Sequence, residues 1–219
     1  MPSILGSFGA LQYGGVVVYP LLGLALVGGA IMLDKAYVYL RFVRLPGDLV
    51  GLMDTYDFDW DVLDARLAAL GPRNLVAGFF RSISTNRAKP AWWIESRSGD
   101  EAHFVQVALN RGLWVLETIV TGAPLLGLLG TITGMMNAFK IIGNHGLVDP
   151  SGVTAGVAQA LIATALGLLI AIVALFGFNF FARQQAKTMD ELERLGTRLI
   201  NHVRLDQETA GGRIPHEVA

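Results

Sequence analysis

The side chains best placed to do chemistry in this chain are few and mild: Thr131 and Thr133 in one uncharged run, and Gln159 and Thr164 in another. Hydroxyls and a carboxamide can hydrogen-bond or help solvate an ion. In hydrocarbon a polar group costs free energy unless it is hydrogen-bonded, so all four should face protein or water. For each threonine the ordinary alternative is a bond to the carbonyl one turn earlier in its own helix. No Asp, Glu, Lys, Arg or His lies within Gly14–Leu33, Thr118–Phe139 or Pro150–Ala182, although intramembrane proton relays normally rest on titratable groups. A hydroxyl does not release its proton near neutral pH, so proton conduction would need a carboxylate from another chain. Glu117, at the entrance of the second run, is the nearest acid, and a solvated interfacial charge is its simpler reading. The absence of cysteine removes disulfides, thiolate metal sites and cysteine nucleophiles, and four scattered histidines have no metal-ligand spacing. With no nucleophile–base constellation, neither an enzyme nor a bound cofactor or metal is expected.

The elements that must hold these groups are written in the composition. Of 219 residues, 53% are hydrophobic and 16% charged, against about 25% charged in ordinary soluble domains, and the mean hydropathy is +0.48. The 17 basic and 18 acidic residues nearly cancel, so nothing recommends nucleic acid as a partner. Each uncharged run reaches the ~20 residues that a spanning helix needs, and the charged remainder is too small to cover three such helices in water. The first run is read as an uncleaved anchor, because Asp34-Lys35 follows it where a signal peptide would carry small residues. The short GNHGLVDPSG segment makes the second and third spans an antiparallel hairpin. Lys35, Arg41, Arg44, Arg111, Arg183 and Lys187 flank one side and only Lys140 the other, which puts the N-terminus outside and the long polar segments in the cytoplasm.

An all-α integral membrane protein with three transmembrane helices and long cytoplasmic helical extensions is therefore expected. Its divisions are a periplasmic segment 1–13, span one 14–33, a cytoplasmic helical region 34–112 and span two 113–142. A periplasmic loop 143–152, span three 153–182 and a cytoplasmic helix and tail 183–219 follow. In the cytoplasmic region DFDWDVLDARLAAL should stop at Gly71-Pro72, and a short helix should cover Leu75–Ser84. Ser98 and Glu101 have capping-box spacing, which predicts a helix starting near 98 and entering span two without a break. Met189, Leu192, Leu195, Leu199 and Val203 keep helical spacing beyond span three. These two inward extensions should pack as a stalk.

Both hairpin spans carry small-residue stripes: Ala123, Gly127, Gly130, Gly134 and Ala138 in one, and Gly152, Gly156, Ala160, Ala163, Gly167, Ala171 and Ala174 in the other. Such stripes permit close backbone approach in lipid, within the hairpin, between subunits, or both. Pro124, inside span two, is a candidate for helix shape.

The segments GAPLLGLLGTITGMMNAFK (122–140) and GVAQALIATALGLLIAIVALFGFNFFARQ (156–184) closely resemble the MotA/TolQ/ExbB family of energy-transducing channel subunits. Weaker features of span one fit in order and spacing, whereas residues 45–100 carry no resemblance. GMMNAF looks more like the ExbB branch than TolQ, and three spans with a small cytoplasmic loop point away from flagellar stators. The resemblance implies a homopentameric ring in the bacterial inner membrane, surrounding a dimer of a one-span partner resembling ExbD or TolR. That partner supplies the missing intramembrane aspartate. The threonines of the GTxxG and ATAxG motifs, which line the inner wall beside that aspartate, transfer to Thr131 and Thr164. Ion flow would then drive outer-membrane transport. Many members have glutamate where this chain has Gln159, which leaves sodium as well as proton coupling open. A TolQ-type role in envelope maintenance and a non-conducting membrane scaffold are the alternatives.

Overall fold

The computed structural model describes residues 15–43, 47–54, 58–145 and 150–210; the expected N-terminal segment 1–13, residues 146–149 of the expected loop 143–152 and the end of the tail lie outside them. All regular structure among the described residues is helical. In chain order the elements are α1 Val18–Val38, continued by a π-helical turn Tyr39–Val43, then α2 Gly47–Asp54, α3 Trp60–Ala69 and α4 Leu75–Thr85. The long helices follow: α5 Ala91–Asn110, α6 Leu113–His145 and α7 Pro150–Ala210. The chain divides into an apolar unit, Met1–Asp34 with Gly112–Phe181, and a polar unit, Lys35–Arg111 with Ala182–Ala219.

In the apolar unit α6 and α7 form the hairpin and their stripes face each other. Ala123, Ala138, Ala160, Ala163, Ala171 and Ala174 are all buried. A Cβ on Gly167 would stand 2.5 Å from the Ala123 carbonyl oxygen, one on Gly134 would stand 2.9 Å from the Ala160 Cβ, and one on Gly156 would stand 2.6 Å from the Ala138 Cβ. The stripes thus serve packing within the chain, the first of the two uses open to them. On the far faces Leu125, Leu129, Phe139, Leu168, Val173 and Phe176 are exposed, an apolar surface suited to lipid or to other membrane helices. Leu21 of α1 is fully buried against Ile119, Ala123, Ala171 and Ala174. α6 has 33 residues, about 50 Å of helix at 1.5 Å per residue and more than the ~30 Å of hydrocarbon it has to cross.

In the polar unit α3 stops and α4 starts where the sequence indicates, whereas α2 is not foreseen in it. Asp59 caps α3 by accepting the Asp61 N–H at 2.8 Å, and Gly71, at φ +78°, ends that helix one residue beyond its C-cap Leu70. Asn74 caps α4 by accepting from the Ala77 N–H at 2.9 Å. Leu63, Leu67, Phe80, Ile94 and Leu109 form the core together with Leu192, Leu195, Leu199 and Val203 of α7, and Met189 lies partly buried beside them. The end of α7 is tied down by Arg204 pairing with Glu95 at 2.8 Å and by the Trp60 indole donating to Asp206 at 2.7 Å.

Three expectations about this region are corrected. α5 begins at Ala91 after Pro90, not near Ser98: Ser98 sits mid-helix and donates to the Glu95 carbonyl at 2.9 Å, while Glu101 pairs with Arg97. The buried side chain of Ile94 extends the helix's core-facing pattern upstream, and this outweighs the capping-box spacing. The helix does not run unbroken into span two either. It ends at Asn110, and Gly112 takes a left-handed φ of +83° before α6 starts at Leu113. The helix that carries the first span, α1, starts at Val18, four residues after the expected start at 14, and continues past Asp34-Lys35.

Lys35 was read from the sequence as a flanking charge, but it is buried within the polar unit and its ammonium donates to the Leu109 carbonyl at 2.7 Å. That carbonyl is among the last of α5, where the helix no longer supplies N–H partners and the helix dipole favours a cation.

Two substitutions test this packing in thermal unfolding of the detergent-solubilised chain. Gly167→Leu should lower Tm, at a cost of about 1–3 kcal/mol for overpacking, whereas Gly23→Ala, whose Cβ meets nothing within 4 Å, should leave it unchanged or slightly higher. Lys35→Met should cost about 1–3 kcal/mol by leaving the Leu109 carbonyl without this donor.

Candidate functional site

The centre of the hairpin is organised around Gly127. A Cβ there would stand 3.1 Å from the Thr164 Cα and 3.1 Å from the Ala163 carbonyl oxygen, so a side chain at this position would press α7 outward by a few tenths of an ångström. The Thr164 hydroxyl uses that proximity to donate across the hairpin to the Gly127 carbonyl at 3.0 Å. In the α-helical register the same carbonyl also accepts the backbone N–H of Thr131. Thr131 donates its hydroxyl hydrogen to the Leu128 carbonyl at 2.6 Å. Pro124 lies one turn before Gly127 inside α6, where it removes the N–H that would have reached the Val120 carbonyl.

The four polar residues do not converge on one place. At about 100° per residue Thr131 lies round α6 from Gly127 on one side and Thr133 on the other. Thr133 bonds to the Leu129 and Gly130 carbonyls, both at 3.1 Å, and a Cβ on Gly130 would collide with the Ala163 Cβ and stand 3.6 Å from a Val17 methyl. Gln159 packs its carboxamide against the backbone of Gly15, leaving no space for a Cβ there. Thr133 and Gln159 therefore belong to the side of the hairpin that meets the start of α1. Thr131 and Thr164 share the opposite edge, both partly buried. Glu117 is exposed in α6, and 14 residues before Thr131 it lies about 21 Å away along the helix.

Of the residues singled out in the sequence, Thr164, Gly127, Gly130, Gly134, Gly156, Ala160 and Gly167 meet in the hairpin contact, and Thr131 bonds within its own helix at the edge of it. Gly15 is not among those residues. The only signal was a Gly14-Gly15 pair ahead of an apolar run, and the need for glycine there arises from Gln159, far away in sequence. Gly15→Ala should therefore lower Tm in detergent, since its φ of +71° and the Gln159 amide both oppose a side chain. Pairing it with Gln159→Ala, which clears the space, should recover part of the loss; an equal loss in both backgrounds would refute the contact.

A family model described as the MotA/TolQ/ExbB proton channel family matches residues 73–194. A Synechocystis sp. protein described as biopolymer transport protein ExbB-like 3 is 33% identical over 177 residues, 77% of this chain and 81% of that protein. A second from the same organism, ExbB-like 1, is 31% identical over 205 residues, 90% of this chain and 78% of that protein. The biopolymer transport protein ExbB of Aquifex aeolicus is 38% identical over 87 residues, 40% of this chain and 59% of that protein. With three helices long and apolar enough to cross a membrane and with these relatives, the chain is a multi-pass membrane protein and belongs to the MotA/TolQ/ExbB proton channel family.

Proposed function

We propose that the chain is the ring-forming subunit of an ion-driven motor in the bacterial inner membrane, coupling the proton motive force to outer-membrane transport. Copies form a pentamer around a dimer of an ExbD- or TolR-like one-span protein. The partner's intramembrane aspartate moves along the edge carrying Thr131 and Thr164. The N-terminus is periplasmic, and the polar unit, with α7 beyond Ala182, forms the cytoplasmic extension. The observation that carries this reading is the shared edge of Thr131 and Thr164, two partly buried hydroxyls in a stretch where the chain has no Asp, Glu, Lys, Arg or His of its own. Such an edge lacks the acid that ion transfer requires and suits a partner that supplies one.

A second reading has its own support. Every hydroxyl in the hairpin core for which a bond is described donates to a backbone carbonyl, which is also what a non-conducting scaffold would need.

The two readings separate in proteoliposomes containing the chain with its one-span partner. If the motor reading holds, Thr131→Val and Thr164→Val reduce ion flux by at least about tenfold, roughly 1.4 kcal/mol, while native mass spectrometry still finds a ring with bound partner. Unchanged flux in both variants, or a wild-type ring that retains no partner, would leave the scaffold.

A further inference from the structure

Within the polar unit, α5 and α7 leave a groove of about 280 Å³ between them, with Phe79, Met189, Leu192 and Ile200 in its lining and Glu95, Glu193 and Arg204 at its rim. Two features set it apart from an ordinary seam between packed helices. The first is Gly99, an exposed glycine in the middle of the 20-residue α5. Glycine weakens a helix interior relative to alanine, and a Cβ there would meet nothing within 4 Å, so no neighbour in this chain requires it. Gly196, on the α7 wall, is different, because a Cβ there would stand 2.8 Å from the Phe79 ring. The α5 backbone is thus bare where the groove opens, and something from outside the chain can lie directly against it. The second feature is charge. The lining holds two acids and one base, and that base, Arg204, pairs with Glu95 at 2.8 Å. Glu193 stands exposed on the α7 wall as the charge that the lining does not balance.

We propose that this groove docks the cytoplasmic flank of the one-span partner, an extended segment that sets a Lys or Arg against Glu193. This inference rests on the motor reading, which supplies a one-span protein beside this chain. The cytoplasmic flank of such a protein is expected to be basic, since Lys and Arg concentrate in the short segments next to a span on that side. An acid-rimmed groove fits it by charge, and an apolar lining holds the hydrocarbon stem of a basic side chain whose head stays at the rim. The reach agrees as well. From Met189 to Arg204 the groove lies 7 to 22 residues beyond Ala182 on α7, about 10 to 33 Å of helix, and ten extended residues cover about 33 Å. A second copy of this chain is the rival occupant, and the test separates the two.

The experiment places the photo-crosslinker p-benzoylphenylalanine at Thr197, an exposed position in the groove, in the full complex of chain and partner reconstituted in lipid. The expected result is a light-dependent adduct that peptide mass spectrometry maps to partner residues on the cytoplasmic side of its span. An adduct with a second copy of this chain, an adduct with any other part of the partner, or none at all would overturn the inference. Two variants then measure the contact. Gly99→Leu covers the bare backbone and Glu193→Lys reverses the rim charge; each should weaken retention of the partner by at least about tenfold, while native mass spectrometry still finds the ring. Exchanging the Lys and Arg of the partner's flank for Glu should restore what Glu193→Lys loses. A ring that falls apart in both variants would mark the groove as a seam between copies, and undiminished retention in both would mean that the flank lies elsewhere; either result overturns this inference alone. A wild-type ring that retains no partner overturns the motor reading with it.

Discussion

The structure of the apolar unit depends on one constraint, the near-absence of side chains between α6 and α7. At Gly167 the gap to the opposing helix is so small that even a methyl group would stand 2.5 Å from the Ala123 carbonyl oxygen. In lipid no hydrophobic force drives two apolar helices together, so their association rests on van der Waals contact, and contact area is largest where side chains are smallest. Glycine and alanine at steps of three and four give both helices a smooth face. Because the backbones come so near, a hydroxyl of one helix can reach a carbonyl of the other, as Thr164 does to Gly127.

The same contact divides the polar groups. α1 packs on one side of the hairpin, meeting Gln159 at Gly15 and approaching Gly130 with Val17, and that side also holds Thr133. The other edge keeps Thr131 and Thr164. One half is occupied by the start of the chain's own first helix, while the other carries two partly buried threonine hydroxyls. The carboxamide at 159 packs here against a glycine, a role that needs no titration.

The polar unit is held by a different force. Leucines of α7 at helical spacing join the leucines and phenylalanines of α3 to α5 in a dry core, held by hydrophobic burial of a kind unavailable within lipid. Its elements are punctuated by ordinary capping chemistry at Asp59, Gly71 and Asn74. The buried Lys35 ammonium on the Leu109 carbonyl is the exception: a charge that the membrane-flanking pattern would assign to the surface instead completes the end of α5.

Length, charge and periodicity were enough to determine three apolar helices, the hairpin, the small-residue stripes, the helix stop at Gly71, the helix start at Leu75 and the core leucines of α7, because each follows from local chemistry or from a repeat along one element. The GTxxG and ATAxG motifs were enough for the family. Only the tertiary structure decided where α5 begins and breaks, since the buried Ile94 outweighed a capping-box spacing and Gly112 turned left-handed. It alone separated Thr131 and Thr164 from Thr133 and Gln159, and found the needs for Gly15 and Lys35. Those depend on which face of a helix meets which neighbour, a relation between residues far apart in the chain that no spacing within one element encodes.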